Sequence, residues 1–122
     1  MLKTIHKGLM EYISELGLPV YPADGVPDGA AFPYLTLTAE APLNATTTGR
    51  VTLTLWCSGP DAPADRLLLT DSLLTLLPPR GLWLETDYET LLLTLDKPAQ
   101  PLREKTALGM RTLWKLQRYP NL

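Results

Sequence analysis

Apolar and hydroxyl side chains alternate along Phe32-Pro33-Tyr34-Leu35-Thr36-Leu37-Thr38 and again along Arg50-Val51-Thr52-Leu53-Thr54-Leu55-Trp56. A period of two belongs to a half-buried strand, so strands are expected at about 34–39 and 50–57. The stretch between them, Glu40 to Gly49, has no apolar periodicity and contains Pro42, Asn44 and Thr46-Thr47-Thr48. It reads as a long polar connection. Upstream, Leu2, Ile5, Leu9, Tyr12, Ile13 and Leu16 fall on one helical stripe, with Lys3, Lys7, Glu11, Ser14 and Glu15 opposite. The spacing predicts an amphipathic helix over 2–16, closed by Gly17.

Val20-Tyr21 reads as one short strand, after which two Asp-Gly pairs and several prolines make residues 22–32 a long turn-rich loop. Ser58-Gly59-Pro60-Asp61-Ala62-Pro63 breaks the chain and starts a second helix, with Asp61 placed to cap it and Pro63 in its first turn. That helix runs to Leu77, where Pro78-Pro79 stops it. Its leucines (67, 68, 69, 73, 74, 76 and 77) cover most of the circumference. A helix apolar nearly all round is buried on more than one side, under a loop or against a neighbouring subunit.

Residues 82–96 have the pattern of a hairpin, 97–104 read as a second proline-rich loop, and 107–118 alternate in a way that favours an amphipathic strand, with a helix as the open alternative. In that last strand Trp114 shares the apolar face with Met110 and Leu116. The expected fold is α+β: a single domain over 1–122, with a mainly antiparallel four- to five-stranded sheet and two helices packed on it.

Composition changes this picture in three places. Proline makes up 12 of 122 residues, about double the usual ~5%, and it punctuates elements rather than filling a disordered tract. Cys57 is the one cysteine, so no intrachain disulfide forms, and a reducing compartment fits. No signal peptide and no apolar run of membrane-spanning length is seen.

The net charge of −2 argues against general nucleic-acid affinity. The charges are nonetheless segregated. Of thirteen acidic residues only Glu104 follows Asp96, whereas Lys97, Arg103, Lys105, Arg111, Lys115 and Arg118 all do. Either cross-strand pairs balance these charges, or the subunit is dipolar and its basic edge meets the acidic edge of another copy.

Candidate chemistry is sparse. His6 is the single histidine and lies at the edge of the first helix's apolar stripe; one histidine without a Cys-x-x-Cys makes no metal cluster. Cys57 precedes a Gly-Pro turn and reads as a small buried hydrophobe. Glu85, Asp87 and Glu89 alternate near a hairpin tip and read as an acidic, solvated group on one face. No phosphate-binding glycine loop, nucleophile elbow or His-Glu-x-x-His is present. No catalytic, metal or cofactor site is expected.

The order of features is more specific than any one of them. An amphipathic helix leads to Val20-Tyr21-Pro22 and a turn-rich loop. Phe32-Pro33-Tyr34 then opens a strand, followed by a polar loop, Val51-Thr-Leu-Thr-Leu-Trp56, a leucine-rich helix and a closing sheet. This order resembles the small tail-completion and tail-terminator proteins of long-tailed bacteriophages, mostly over residues 1–77. The resemblance implies a non-enzymatic virion protein of a phage or prophage. It would act as a ring, typically a hexamer, that caps the tail tube and joins it to the head connector. Its location would be the bacterial cytoplasm during assembly and then the virion tail. Self, tail-tube protein and head connector are the implied partners, with no membrane and no specific nucleic acid among them.

On that reading the loops at 22–32, 41–49 and 97–106 order on docking. The candidate assembly residues are Asp24, Asp28, Asn44, Thr46, Thr47, Arg103, Lys105, Arg111 and Lys115. Glu85, Asp87 and Glu89 are candidates for an acidic lumen that repels DNA phosphate. The alternatives are a monomeric protein-binding module offering its loops or a sheet edge, and a small enzyme using His6 or Cys57.

Overall fold

The computed structural model describes residues 2–40, 48–87 and 89–120. Helix α1 spans Leu2–Ile13 and tightens into a 3-10 turn at Ser14–Leu16. Gly17 closes it at φ 77°, donating its N–H to the Ser14 carbonyl at 2.9 Å. That left-handed conformation is one that glycine adopts without steric cost. The strands are β1 (Val20–Pro22), β2 (Tyr34–Glu40), β3 (Thr48–Cys57), β4 (Leu82–Glu85), β5 (Glu89–Leu95), β6 (Gln100–Glu104) and β7 (Ala107–Pro120), with α2 (Ala62–Leu76) between β3 and β4.

All seven strands belong to one sheet in the order β1-β2-β3-β7-β5-β4, with β6 also paired to β7. The α+β class with two helices on a sheet holds, but four to five strands is an undercount. The sheet is also mixed, because β1 runs parallel to β2 while the other five pairings are antiparallel. The strand missed entirely is β6, which lies inside the 97–104 segment expected to be a loop. Pro101 hid it. Proline donates no ladder hydrogen bond, yet an edge strand accommodates it because one side of the strand needs no partner. The long strand β7 makes this possible: β3 covers one of its edges, while β5 and β6 share the other, opposite residues 114–120 and 107–111.

One sheet face carries the core. Leu35 and Leu37 pair with Leu55 and Leu53, which pair in turn with Met110 and Thr112. Ile5, Leu9 and Ile13 of α1 and Ala62, Leu73 and Leu77 around α2 pack with these residues and with Trp114, Leu116, Leu91 and Leu93. Trp114 is buried on the apolar face, as its phase predicts. Thr112 is wholly buried in that face; its Oγ1 donates to the Leu53 carbonyl at 3.1 Å and accepts from Trp114 Nε1 at 2.8 Å. A polar atom in the core is thereby satisfied twice over.

Two local expectations change. Asp61 does stand at the α2 N-terminus, but its side chain makes no capping bond. The α2 circumference is also not wholly covered. Thr70 is buried, its hydroxyl donating to the Arg66 carbonyl at 2.6 Å, whereas Leu67 and Leu68 are 61% and 66% exposed. The expected all-round burial of α2 does not occur within the chain.

Candidate assembly surfaces

Because both helices pack with the core-facing side chains, the opposite side chains of the sheet form a second surface. It is built from the Thr36–Thr54 and Thr38–Thr52 pairs, flanked at one end by Tyr34 and Trp56, which are themselves paired. Trp56 lies over Gly109 of β7, where a Cβ would come within 2.8 Å of the indole ring. Only glycine permits that approach, so Gly109 sets the seat of Trp56.

The 23–32 loop and the β6–β7 hairpin rise on either side of these aromatics and enclose a cleft of about 470 Å³. Tyr34, Thr36 and Trp56 line it together with Val26 and Phe32 from the loop and Lys105 from the hairpin. Tyr34 holds the cluster together, with ring centroids 5.6 Å from Tyr21 and 5.1 Å from Phe32. Phe32 remains 42% exposed. The loop wall is hydrogen-bonded rather than slack: Gly25 N–H donates to the Pro22 carbonyl at 2.9 Å and Ala23 N–H to the Leu37 carbonyl at 3.1 Å.

At the other end of this surface Trp83 and Tyr119 pack at 5.7 Å and are 60% and 46% exposed. Sequence reasoning did not single out these aromatics as a surface. The signal was their phase: Tyr34 and Trp56 align with the threonines, Trp83 with Glu85, and Tyr119 with Gln117. An aromatic in phase with the polar face marks a sheet surface that other groups overlie; here Thr36 and Thr54 are buried within the chain, whereas Phe32, Trp83 and Tyr119 stay exposed.

The predicted interface residues fall as follows. Asp24 and Asp28 are exposed on the β1–β2 loop. Arg103 is exposed on β6, and Lys105 occupies the hairpin tip at φ 52°. Arg111 and Lys115 lie on the outer side of β7; Arg111 Nη2 donates to Gln100 Oε1 at 2.8 Å, and Lys115 Nζ is 3.5 Å from Asp96 Oδ1. The Lys115 side chain is 69% exposed, so this pair contributes little to stability. Asn44, Thr46 and Thr47 lie outside the described residues.

The acidic trio does not form one group. Glu85 and Asp87 are exposed, but Glu89 is 4% exposed and accepts from Arg118 Nε at 3.0 and 3.3 Å. Glu85 pairs with Thr90 across the hairpin, so Glu89, one residue earlier, falls on the opposite face. Alternation counted through a turn loses its phase, and that is why the expected shared face fails.

The two residues considered for catalysis lie apart. His6 is half-buried above Leu37, Thr38 and Ala39, beside Pro22 and Asp24. Leu37 pairs with Leu53, and Cys57 is four residues, about 13 Å, further along β3. Cys57 is 2% exposed, and burial pushes its thiol pKa up, reinforced by Asp65 and opposed by Arg66. That direction is opposite to the one an attacking thiolate requires. Among the described residues no group of three or more His, Cys, Asp or Glu could hold a metal ion, and no helix is long and apolar enough to cross a membrane.

No family model and no curated protein matches the sequence. A solved structure of a protein of similar length is like this chain over 98% of its residues and 94% of the other chain, with TM-score 0.65 at 15% identity. At that identity the likeness establishes a shared fold.

Proposed function

We propose that this protein is a ring-forming structural component of a bacteriophage or prophage tail. In this reading it caps the tail tube and provides the joint to the head connector. The observation that carries the reading is a pair of unlike apolar surfaces on different sides of one small domain. Leu67 and Leu68 stand out from α2 on the helical side, and Phe32, Trp83 and Tyr119 are exposed elsewhere. Closed rings need a head-to-tail contact between unlike surfaces, in contrast to the self-matching patch of a two-fold dimer. The resemblance carried by Val20-Tyr21-Pro22, Phe32-Pro33-Tyr34 and Val51–Trp56 supplies the biological setting. In that setting Glu85 and Asp87 remain the candidates for an acidic lumen lining, while Glu89 is withdrawn from it by Arg118.

The test uses tail tubes assembled without a terminator. The purified chain is expected to bind one tube end as a ring visible by electron microscopy and to stop further tube growth. Tubes that keep elongating with no density at either end refute the proposal. The cleft of Phe32, Tyr34 and Trp56 also favours a second reading, a monomeric module that binds an apolar peptide segment. A chain that stays monomeric while binding such peptides would support it.

A further inference from the structure

We infer that the free edge of β4 pairs with the β4 edge of a second copy, antiparallel and about a two-fold axis. Strand β4 ends the strand order, so one side of it has no neighbour in the sheet. The hairpin fixes which backbone groups face that side. Thr86 N–H donates to the Glu89 carbonyl at 2.8 Å, and Leu84 and Leu82 follow in the same phase, opposite Leu91 and Leu93. Antiparallel bonding alternates, so Leu82 and Leu84 bond to β5, while Trp83 and Glu85 direct their N–H and C=O groups away from it. Helix α1 meets β4 from the core side, where Gly8 faces the Leu84 and Thr86 side chains. The Trp83 side chain stands exposed on the other face.

The other open edges are blocked. In β1, Leu35 N–H donates to the Pro19 carbonyl and Ala23 N–H to the Leu37 carbonyl, which turns Val20 and Pro22 outward. Pro22 has no N–H, and its carbonyl already accepts from Gly25. Strand β6 carries Pro101. Strand β4 has no proline, and an unguarded edge is a site of strand addition.

Charge selects the occupant. Among the described residues, the exposed charges along this edge are Arg80, just before β4, and Glu85 and Asp87 at its far end. Glu89 and Arg118 neutralise each other in the interior, and on α1 the exposed Lys7 and Glu11 flank Gly8 with opposite signs. A strand with a base at its start and acids at its end complements itself when antiparallel and repels itself when parallel. With Leu84 opposite its own copy, Trp83 exchanges both bonds of a closely spaced pair with Glu85 of the second copy, and Arg80 comes alongside Asp87 at each end. Trp83 and Glu85 are the outward-facing residues of the strand, so the pairing closes as a two-fold dimer and does not propagate. The contact does not rest on the ring reading: a copy that commits Glu85 and Asp87 here cannot present them to a lumen at the same time.

Hydrogen exchange over a concentration series of the full chain, with sedimentation alongside, tests the pairing. The Trp83 and Glu85 amides are expected to slow as the chain associates, whereas the Leu84 amide, bonded to β5 in the monomer, is protected throughout. Glu85→Pro removes an outward N–H without touching the β5 ladder and should weaken dimerisation about tenfold. Arg80→Glu and Asp87→Arg each set like charges together at both ends, so each alone should weaken it about two- to fivefold. Mixed, these two variants restore opposite signs at both ends and should associate as tightly as wild type. All three positions are exposed, and thermal melting verifies that the variants fold. The pairing is overturned by a wild-type chain that stays monomeric at every concentration, or by one that associates while the Trp83 and Glu85 amides stay unprotected. It is equally overturned if folded Glu85→Pro dimerises like wild type, or if the mixed charge variants associate no better than each alone. Ring formation on tail tubes is scored separately, and none of these outcomes bears on it.

Discussion

The buried ion pair between Glu89 and Arg118 makes the sharpest prediction about stability. The two side chains are 6% and 4% exposed, and Arg118 Nε donates to both carboxylate oxygens, at 3.0 and 3.3 Å. The pair joins β5 to β7 on the core side of the sheet, next to Leu91, which is directly opposite Arg118. Replacing Arg118 with Met leaves a carboxylate where water does not reach. Removal of one partner from such a pair costs about 3–5 kcal/mol, most of it the penalty of the uncompensated charge. For a chain of this size that lowers the melting temperature by about 12–20 °C.

Glu89→Leu should cost a similar amount, because it strands the guanidinium. The double variant Glu89→Leu with Arg118→Met removes both charges and should recover most of the loss, since apolar replacements of a buried pair are near neutral. Chemical denaturation of the four proteins closes the cycle and gives the coupling directly. The pair is shielded from solvent, so the coupling should change little with added salt. Single variants that lose less than about 1 kcal/mol, or a coupling that disappears in salt, would refute the burial on which the magnitude rests.

Other expectations follow from single positions. Thr112→Val keeps the shape but strands the Trp114 indole N–H in the core, costing about 1–3 kcal/mol by denaturant melting, whereas Thr112→Ser retains the hydroxyl and should cost less. Gly109→Ala drives a methyl into the Trp56 ring, so it should shift tryptophan emission while the chain remains folded; an unchanged spectrum would contradict the close approach. Burial holds the Cys57 thiol above its ordinary value of 9.0, so the folded chain retains that proton more tightly than the unfolded chain. The corresponding stability is complete below about pH 9 and is lost as pH rises through the higher folded value. The advantage of wild type over Cys57→Ala in urea melts should therefore shrink as pH is raised above about 9, and the thiol should react slowly with disulfide reagents at neutral pH.

How far the chain could be read in advance depended on which interactions were local. The helix over 2–16, its glycine stop, the strands at 34–39, 50–57 and 107–118, and the seating of Trp114 all follow from periodicity, because the period states which side chains share a face. What lies against each face is set elsewhere. Leu67 and Leu68 are indistinguishable by pattern from Leu73 and Leu77, yet only the latter pair meets the sheet. Glu85 and Glu89 share a phase in the sequence and separate in space because a turn intervenes. Strand β6 carries a proline that argues against a strand until a long neighbour provides it with an edge.

The threonine–aromatic phase of the 34–56 region was legible as a face without chemistry. That this face folds into a cleft beneath Phe32 and Lys105 was decided by the crossing of two distant segments, the 23–32 loop and the β6–β7 hairpin. Local alternation determined the faces of this protein. Register, turn phase and the meeting of remote loops decided which of those faces the chain leaves exposed, because these depend on pairing partners that no stretch of sequence contains.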